Sequence, residues 1–125
     1  MTDKIYVGCP YSGNMVQQEH RYKMATAYAG HLLIKGYLVY SPLTHCKPIA
    51  DLMKLPHHAE FWAPMNLSQI EWCDIMHVLC LPGWEYSAGL VAERAWCTKL
   101  HKAVTYIPYE ELQWLESLIT GCNPT

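Results

Sequence analysis

The spacing of hydrophobic and polar positions changes several times along the chain, and each change marks an element. Lys4 to Gly8 is a short run rich in β-formers that ends in Gly-Cys-Pro-Tyr-Ser-Gly-Asn, the punctuation of a tight loop. From Val16 to Lys35 the period is helical, with Met24, Ala25, Tyr28 and Leu32 on one face, and Gly36 stands where a residue closing a helix belongs. Tyr37 to Ser41 reads as a second strand, stopped by Pro42. Leu43 to Glu60 mixes Pro, His and Lys without periodicity and reads as a long irregular loop able to close over a site. Trp62 to Trp72 reads as a helix. The unbroken apolar run Ile75 to Leu81 suits a strand buried on both faces, as parallel sheets require. After the loop Pro82 to Tyr86, Ser87 is a candidate N-cap for a helix reaching about Leu100. Ala103 to Ile107 then makes a strand and Glu110 to Ile119 a last helix.

Strands that alternate with helices in this way predict an α/β fold, a parallel sheet with right-handed crossovers and ligands held beyond the carboxyl ends of the strands. The expectation is a single-domain, three-layer, Rossmann-like or flavodoxin-like fold with a four- to five-stranded parallel sheet, the one domain occupying residues 1–125. Composition narrows the partners. A formal charge of -2 and a pI near 6.4 give no basic excess to attract a nucleic-acid polymer, although a small phosphorylated ligand fits. No apolar stretch approaches the roughly 20 residues that span a bilayer, and Met-Thr-Asp-Lys leads straight into a strand pattern instead of a signal peptide, so no membrane partner and a cytoplasmic location are expected. The six cysteines (Cys9, Cys46, Cys73, Cys80, Cys97, Cys122) form no C-x-x-C pair and no cluster with ligand spacing. They are expected as free, buried small hydrophobes, with no metal and no cofactor.

The chemistry is expected in the two loops at strand ends that carry the strongest turn residues. These are Gly8, Cys9, Pro10, Tyr11, Ser12, Gly13 and Asn14, and the stretch from Pro82 to Ser87 that includes Gly83 and Trp84. Both precede helices, whose first N–H groups and partial positive charge suit a phosphate or another polar group. Neither matches the dinucleotide-binding or P-loop glycine pattern. The more informative feature is Ser87-Ala-Gly-Leu-Val-Ala-Glu93: Gly89 and Glu93 stand four apart on one helical face, and Gly89 has no side chain to cover the carboxylate. Glu93 is either a solvated helix residue paired with Arg94 or Lys99, or a working group. Its neighbours Leu90, Val91, Ala92, Ala95 and Trp96 favour the latter, because a carboxylate among apolar residues costs free energy unless something employs it.

These residues resemble the nucleoside 2-deoxyribosyltransferase-like superfamily, which includes the transferases and the 2′-deoxynucleoside 5′-phosphate N-hydrolases, over most of the chain. Asp74, the strand, and then Pro-Gly-Trp-Glu-Tyr-Ser-Ala-Gly-Leu-Val-Ala-Glu93 look like the family's Asp, strand, loop and S-x-G-x-x-x-E pattern, and Lys4-Ile-Tyr-Val-Gly-Cys-Pro10 is similar to its first strand and turn. The Pro-Gly-Trp-Glu loop and Ser41-Pro-Leu-Thr-His-Cys46 look closest to an uncharacterised phage- or prophage-borne branch. The resemblance implies that Glu93 attacks the anomeric carbon of a nucleoside or nucleoside 5′-monophosphate and releases the base, after which water or a second base resolves the glycosyl-enzyme. It implies that Tyr6 positions the carboxylate, that Ser87 and Gly89 meet the 5′ end of the ligand, and that the protein is a homodimer or higher homo-oligomer. Asp74 is expected to be structural.

Asn66 departs from the family pattern, standing where an aspartate helps protonate the leaving base, and an asparagine has no proton to give. Either another group serves, with His45 the candidate because imidazoles titrate near neutrality, or the chain binds a nucleotide without turning it over. Trp84 is a stacking wall for a base or a subunit contact. Five tryptophans and nine tyrosines also leave open a purely interacting protein.

Overall fold

The structure, a computed structural model, describes residues 3–121; Cys122 lies outside them. Among the described residues it contains β1 (Lys4–Gly8), α1 (Met15–Ile34), β2 (Leu38–Tyr40), α2 (Pro42–Met53), α3 (Ala59–Trp72), β3 (Ile75–Leu79), a 3₁₀ turn (Trp84–Tyr86), α4 (Ala88–Lys99), β4 (Ala103–Ile107) and α5 (Tyr109–Thr120). The four strands form one all-parallel sheet in the order β2-β1-β3-β4. The alternation read from the sequence thus gives the expected α/β architecture with the smaller of the expected strand numbers.

Period-two alternation splits the strand residues between two cores. Ile5, Val7 and Leu79 face α1 and α5, where Met24, Ala25, Tyr28, Leu32, Leu112 and Leu115 cover them. Tyr6, Met76 and Val78 face the other way, with Tyr40 beside them and Ile70 of α3 and Leu90 and Cys97 of α4 above. Burial of one such large side chain contributes about 1.5–3 kcal/mol, so the two layers account for the sheet being covered on both faces. The chain moves left from β1 to β2 and right from β3 to β4, and the order of connection reverses between β1 and β3. Their carboxyl ends are therefore the place where the covering helices diverge and leave a crevice.

The stretch from Leu43 to Glu60 is not the long loop its composition suggests. Most of it is α2, followed by a short connection and the start of α3. Local signals explain the helix: the Ser41 side chain accepts from Thr44 N–H as N-cap, Pro42 occupies the first turn where its missing N–H costs nothing, and Cys46 and Ala50 form a buried i, i+4 stripe. Pro48 hid this pattern, and α2 accommodates it before ending at Lys54 in the left-handed region (φ 56°). α3 likewise carries Pro64 and starts three residues earlier than expected, with His58 as its N-cap. Lys102 closes its far end, donating from Nζ to the carbonyls of Glu71 and Cys73. Asp74, exposed beside Cys73, accepts from the Lys4 N–H through Oδ2 at 2.9 Å and ties the start of β1 to that of β3.

The five described cysteines are unpaired, three of them buried, as expected of free thiols. None of the described helices is long and apolar enough to cross a membrane.

One contact governs how α4 lies on the sheet. A Cβ added at Gly8 would stand 2.3 Å from Met76 Cε and 2.8 Å from Leu90 Cδ2, so the missing side chain lets α4 settle onto the end of β1. Both obstructing atoms are side-chain ends and can give way. Gly8→Ala is expected to fold and to lose about 1–3 kcal/mol of stability in urea unfolding; an unchanged midpoint would show that α4 does not depend on this approach.

Candidate active site

Leu90 and Glu93 lie three apart on α4 and share a face. Leu90 packs where Gly8 ends β1, and one turn on, the Tyr6 hydroxyl donates to Glu93 Oε2 from the same face of β1. Tyr6 is fully buried, on a central strand. Glu93 keeps some exposure as a residue, while its carboxyl group is largely desolvated and borders a cavity. That burial pushes its pKa from 4.5 up to about 7, and the Tyr6 hydrogen bond holds it from rising further. The same pairing raises the Tyr6 phenol well above its ordinary value, first through burial and then through the Glu93 charge.

The cavity has a volume of about 450 Å³, within the range of small-molecule sites. Cys9, Tyr11 and Ser12 line it from the loop after β1, Ser87, Gly89 and Glu93 from the start of α4, and Asn66 from α3. A Cβ built on Gly89 meets nothing within 4 Å, so this position is open space over the first turn of α4. The Ser87 side chain caps that turn by accepting from Leu90 N–H at 3.4 Å. Gly8 and Pro10 are buried and do not line the cavity. Gly13 and Asn14 are exposed and build the entry to α1, where Asn14 and Gln17 form a reciprocal capping box.

Three further expected site residues stand away from the cavity. Trp84 does not reach the cavity: its ring packs on Tyr106 of β4 at 5.4 Å, with the Arg94 guanidinium over it at 5.3 Å, because the 3₁₀ turn directs it toward the sheet edge. Gly83 precedes it with φ 91° and serves the turn. His45 is exposed on the first turn of α2 instead of in a loop over the site. Its ring stacks on Tyr40 at 4.8 Å, and its Nδ1 is held by the backbone of Ser41. It does not line the cavity, so it is not positioned to hand a proton to a ligand there.

Other residues at the site were not anticipated. Because α2 is helical, its N-terminus joins that of α4 at the cavity, and Pro42, Leu43, Cys46, Lys47 and Ala50 form a wall. Lys47 is already matched by Asp51 at 2.7 Å and Glu19 at 3.6 Å. His57, His58 and Trp62 complete the mouth. Arg21 of α1 donates to the Ser12 carbonyl and, at 3.0 Å, to that of Pro82, clasping the loops after β1 and β3 together. Tyr40 is the cross-strand partner of Tyr6, their rings 5.7 Å apart, and its hydroxyl donates to Asn66 Oδ1 at 3.1 Å while touching Cys46 Sγ at 3.3 Å. The adjacent tyrosines thus anchor the two polar side chains, Glu93 and Asn66, that two covering helices bring to the cavity. The Ser41-Pro42 start signal was the sequence clue to α2, whereas the Tyr6–Tyr40 pairing depends on strand register and had none.

Burial raises the Cys9 thiol far above its usual range, and Cys46 is raised for the same reason, so neither cavity cysteine is a ready thiolate. Among the described residues no group of three or more His, Cys, Asp or Glu side chains is arranged to hold a metal ion.

A parallel sheet covered on both faces, with a cavity at the carboxyl ends of its strands, defines a single-domain Rossmann-like α/β protein. Residues 3–109 match the family described as "Domain of unknown function (DUF1937)", and the chain belongs to that family. No curated protein matches the chain.

The raised pKa of Glu93 has a stability consequence. Between its unfolded value of 4.5 and about 7, the folded chain binds the proton more tightly than the unfolded chain. Its contribution is therefore greatest below about pH 4.5, falls as pH rises, and levels off above about pH 7, a loss of about 3 kcal/mol for the full shift. Glu93→Gln should lack this loss, so its stability relative to the wild type should rise across that window in urea titrations. Parallel pH profiles would show that the carboxylate is well solvated.

Proposed function

We propose that the chain binds a nucleoside or nucleoside 5′-monophosphate in this cavity and cleaves its N-glycosidic bond with Glu93 as nucleophile. The observation that carries the reading is a carboxylate desolvated at the wall of a ligand-sized cavity and held by a buried tyrosine hydroxyl, at the topological switch point of the sheet. The resemblance of Ser87-x-Gly89-x-x-x-Glu93 to the deoxyribosyltransferase-like pattern supplies the substrate class.

In the first step a Glu93 oxygen forms a bond to the anomeric carbon while the C–N bond breaks and its electron pair leaves with the base. Tyr6 donates to Oε2 and fixes the carboxyl plane for attack. In the second step water attacks the anomeric carbon, giving the free sugar and regenerating the carboxylate, or a second base does so and the sugar is transferred. Ser87, Gly89 and the first N–H groups of α4 suit the 5′ end, whether hydroxyl or phosphate. Desolvation raises the energy of the ionised nucleophile, which sharpens its reactivity once ligand excludes water.

A second reading, a nucleotide-binding protein without turnover, is favoured by Asn66, whose amide has no proton to give a leaving base. Incubation with a panel of nucleosides and 5′-monophosphates, followed by chromatography for free base, separates the two. The first reading predicts base release by the wild type and a loss of at least ~10³-fold in Glu93→Gln. It also predicts a kcat/KM that climbs with pH and levels above about pH 7, because only the ionised carboxylate attacks. Robust release by the Gln variant would overturn it; tight binding without product would establish the second.

A further inference from the structure

We infer that Asn66 is a specificity-determining residue that presents only hydrogen-bond donors to the ligand, and that it selects nucleosides whose base carries a carbonyl oxygen next to the glycosidic nitrogen, the 2-oxopyrimidines and above all the 2,4-dioxo kind. This deepens the proposed function and rests on that reading.

The inference follows from where the single phenolic proton of Tyr40 goes. Tyr40 is buried, and its hydroxyl meets two groups, Asn66 Oδ1 at 3.1 Å and Cys46 Sγ at 3.3 Å. An amide oxygen is a strong acceptor and a thiol sulfur a weak one, so the O–H is given to Asn66 and the S–H of Cys46 is left to donate to the phenolic oxygen. With Oδ1 turned to the phenol, as the structure places it, hydroxyl, thiol and amide oxygen are all satisfied, and the stronger acceptor takes the stronger donor. Oδ1 is occupied on the protein side. Nδ2, for which no protein acceptor is found among the described residues, belongs to a side chain that lines the cavity. With its two N–H donors unpaired, Asn66 is complementary to an acceptor on the ligand and mismatched to a ligand donor.

Glu93 and Asn66 are held on the same cavity by neighbouring strands, through Tyr6 and Tyr40, which are partners in register. A base departing from the anomeric carbon beside Glu93 takes the C–N electron pair with it. Asn66 cannot convert that pair into an N–H bond, and the two histidines at the mouth are engaged, His57 with Asp51 at 3.2 Å and His58 as the cap of α3. The favoured leaving group therefore departs as an anion. In a 2-oxopyrimidine the charge passes from the ring nitrogen to the adjacent oxygen, where an N–H donor of Asn66 stabilises it, and a second carbonyl at position 4 lowers the basicity of the anion further. The base takes its proton from water afterwards. An adenine has no carbonyl, and its leaving nitrogen calls for protonation of the ring, which an amide does not provide.

The test compares a uracil nucleoside with its 4-pyridone counterpart, which lacks the oxygen at position 2 and the N3–H, and with the adenine nucleoside; the Asn66 variants isolate the share due to the oxygen. Binding is measured by calorimetry in the Glu93→Gln background, and turnover in the wild type. The expected result is binding of the uracil nucleoside about tenfold tighter than its 4-pyridone counterpart, the loss typical of one buried hydrogen bond. Asn66→Leu should abolish this difference, and Tyr40→Phe, which frees the amide to turn, should diminish it. In turnover, kcat/KM for the uracil nucleoside should exceed that for adenine, and Asn66→Asp, which introduces a proton donor, should narrow the gap. Equal cleavage of both bases by the wild type, or a 4-pyridone penalty that persists in Asn66→Leu, would overturn the inference while leaving the proposed function standing. Failure of every nucleoside and of every corresponding 5′-monophosphate to bind would overturn both.

Discussion

The structure turns on a single hydrogen bond between Tyr6 and Glu93, made where a carboxylate has been taken out of water. Burying a carboxyl group is costly unless its oxygens find donors, and a phenol on a central strand supplies one. Everything nearby serves that meeting. Gly8 leaves room for Leu90, so α4 lies close to β1, and the next turn of α4 delivers Glu93 over Tyr6. Ser87 starts the helix at the right place, and Ala88 and Gly89, the two residues that follow it, are small enough to keep the space above the carboxylate open. The arrangement keeps Glu93 near the boundary between its charged and neutral forms at ordinary pH. Natural folds seldom maintain such a group without using it.

A second device is built beside the first from the same parts. β1 and β2 carry tyrosines at paired positions, and each hydroxyl reaches a polar side chain on a helix covering that face, Glu93 on α4 and Asn66 on α3. The two loops that bracket the cavity are in turn tied by Arg21, whose guanidinium spans the carbonyls of Ser12 and Pro82. A planar, multi-donor cation suits this task, since it bridges two backbones at once without needing a carboxylate. The site thus has a rigid floor from the sheet and a wall from α2 and α3, with its loops held in place from α1.

Much of the fold was legible because the strands and the long helices speak in clear periods. The length of the apolar run at Ile75 suits a strand covered on both faces, and Gly36 and Ser87 mark helix ends by their own chemistry. What failed was the segment after Pro42. Two prolines and several polar residues masked α2 and the start of α3, whose formation depends on end caps and on burial of Cys46 and Ala50 against the rest of the protein. A loop there would leave His45 free to approach the site, a freedom that the helical turn denies it. The stacking role for Trp84 fails for a related reason: loop composition does not say which way a tryptophan turns, and here its ring packs with Arg94 and Tyr106 instead of at the cavity. Glu93 was visible from spacing and apolar context alone, whereas Tyr40 and Arg21 act across register and between loops, relations that no single stretch of sequence contains.

The most direct measurement is capture of the glycosyl-enzyme. A pyrimidine nucleoside bearing fluorine at the 2′ position, which slows both formation and hydrolysis of the intermediate, and a base that is a good leaving group, which restores formation so that the intermediate accumulates, is incubated with the protein, and the adduct is located by mass spectrometry of the intact chain and its peptides. The account predicts one added sugar on the peptide containing Glu93, with release of one equivalent of base, and no adduct in Glu93→Gln. Base release with the sugar attached to a different residue, or an adduct of equal yield in the Gln variant, would contradict it.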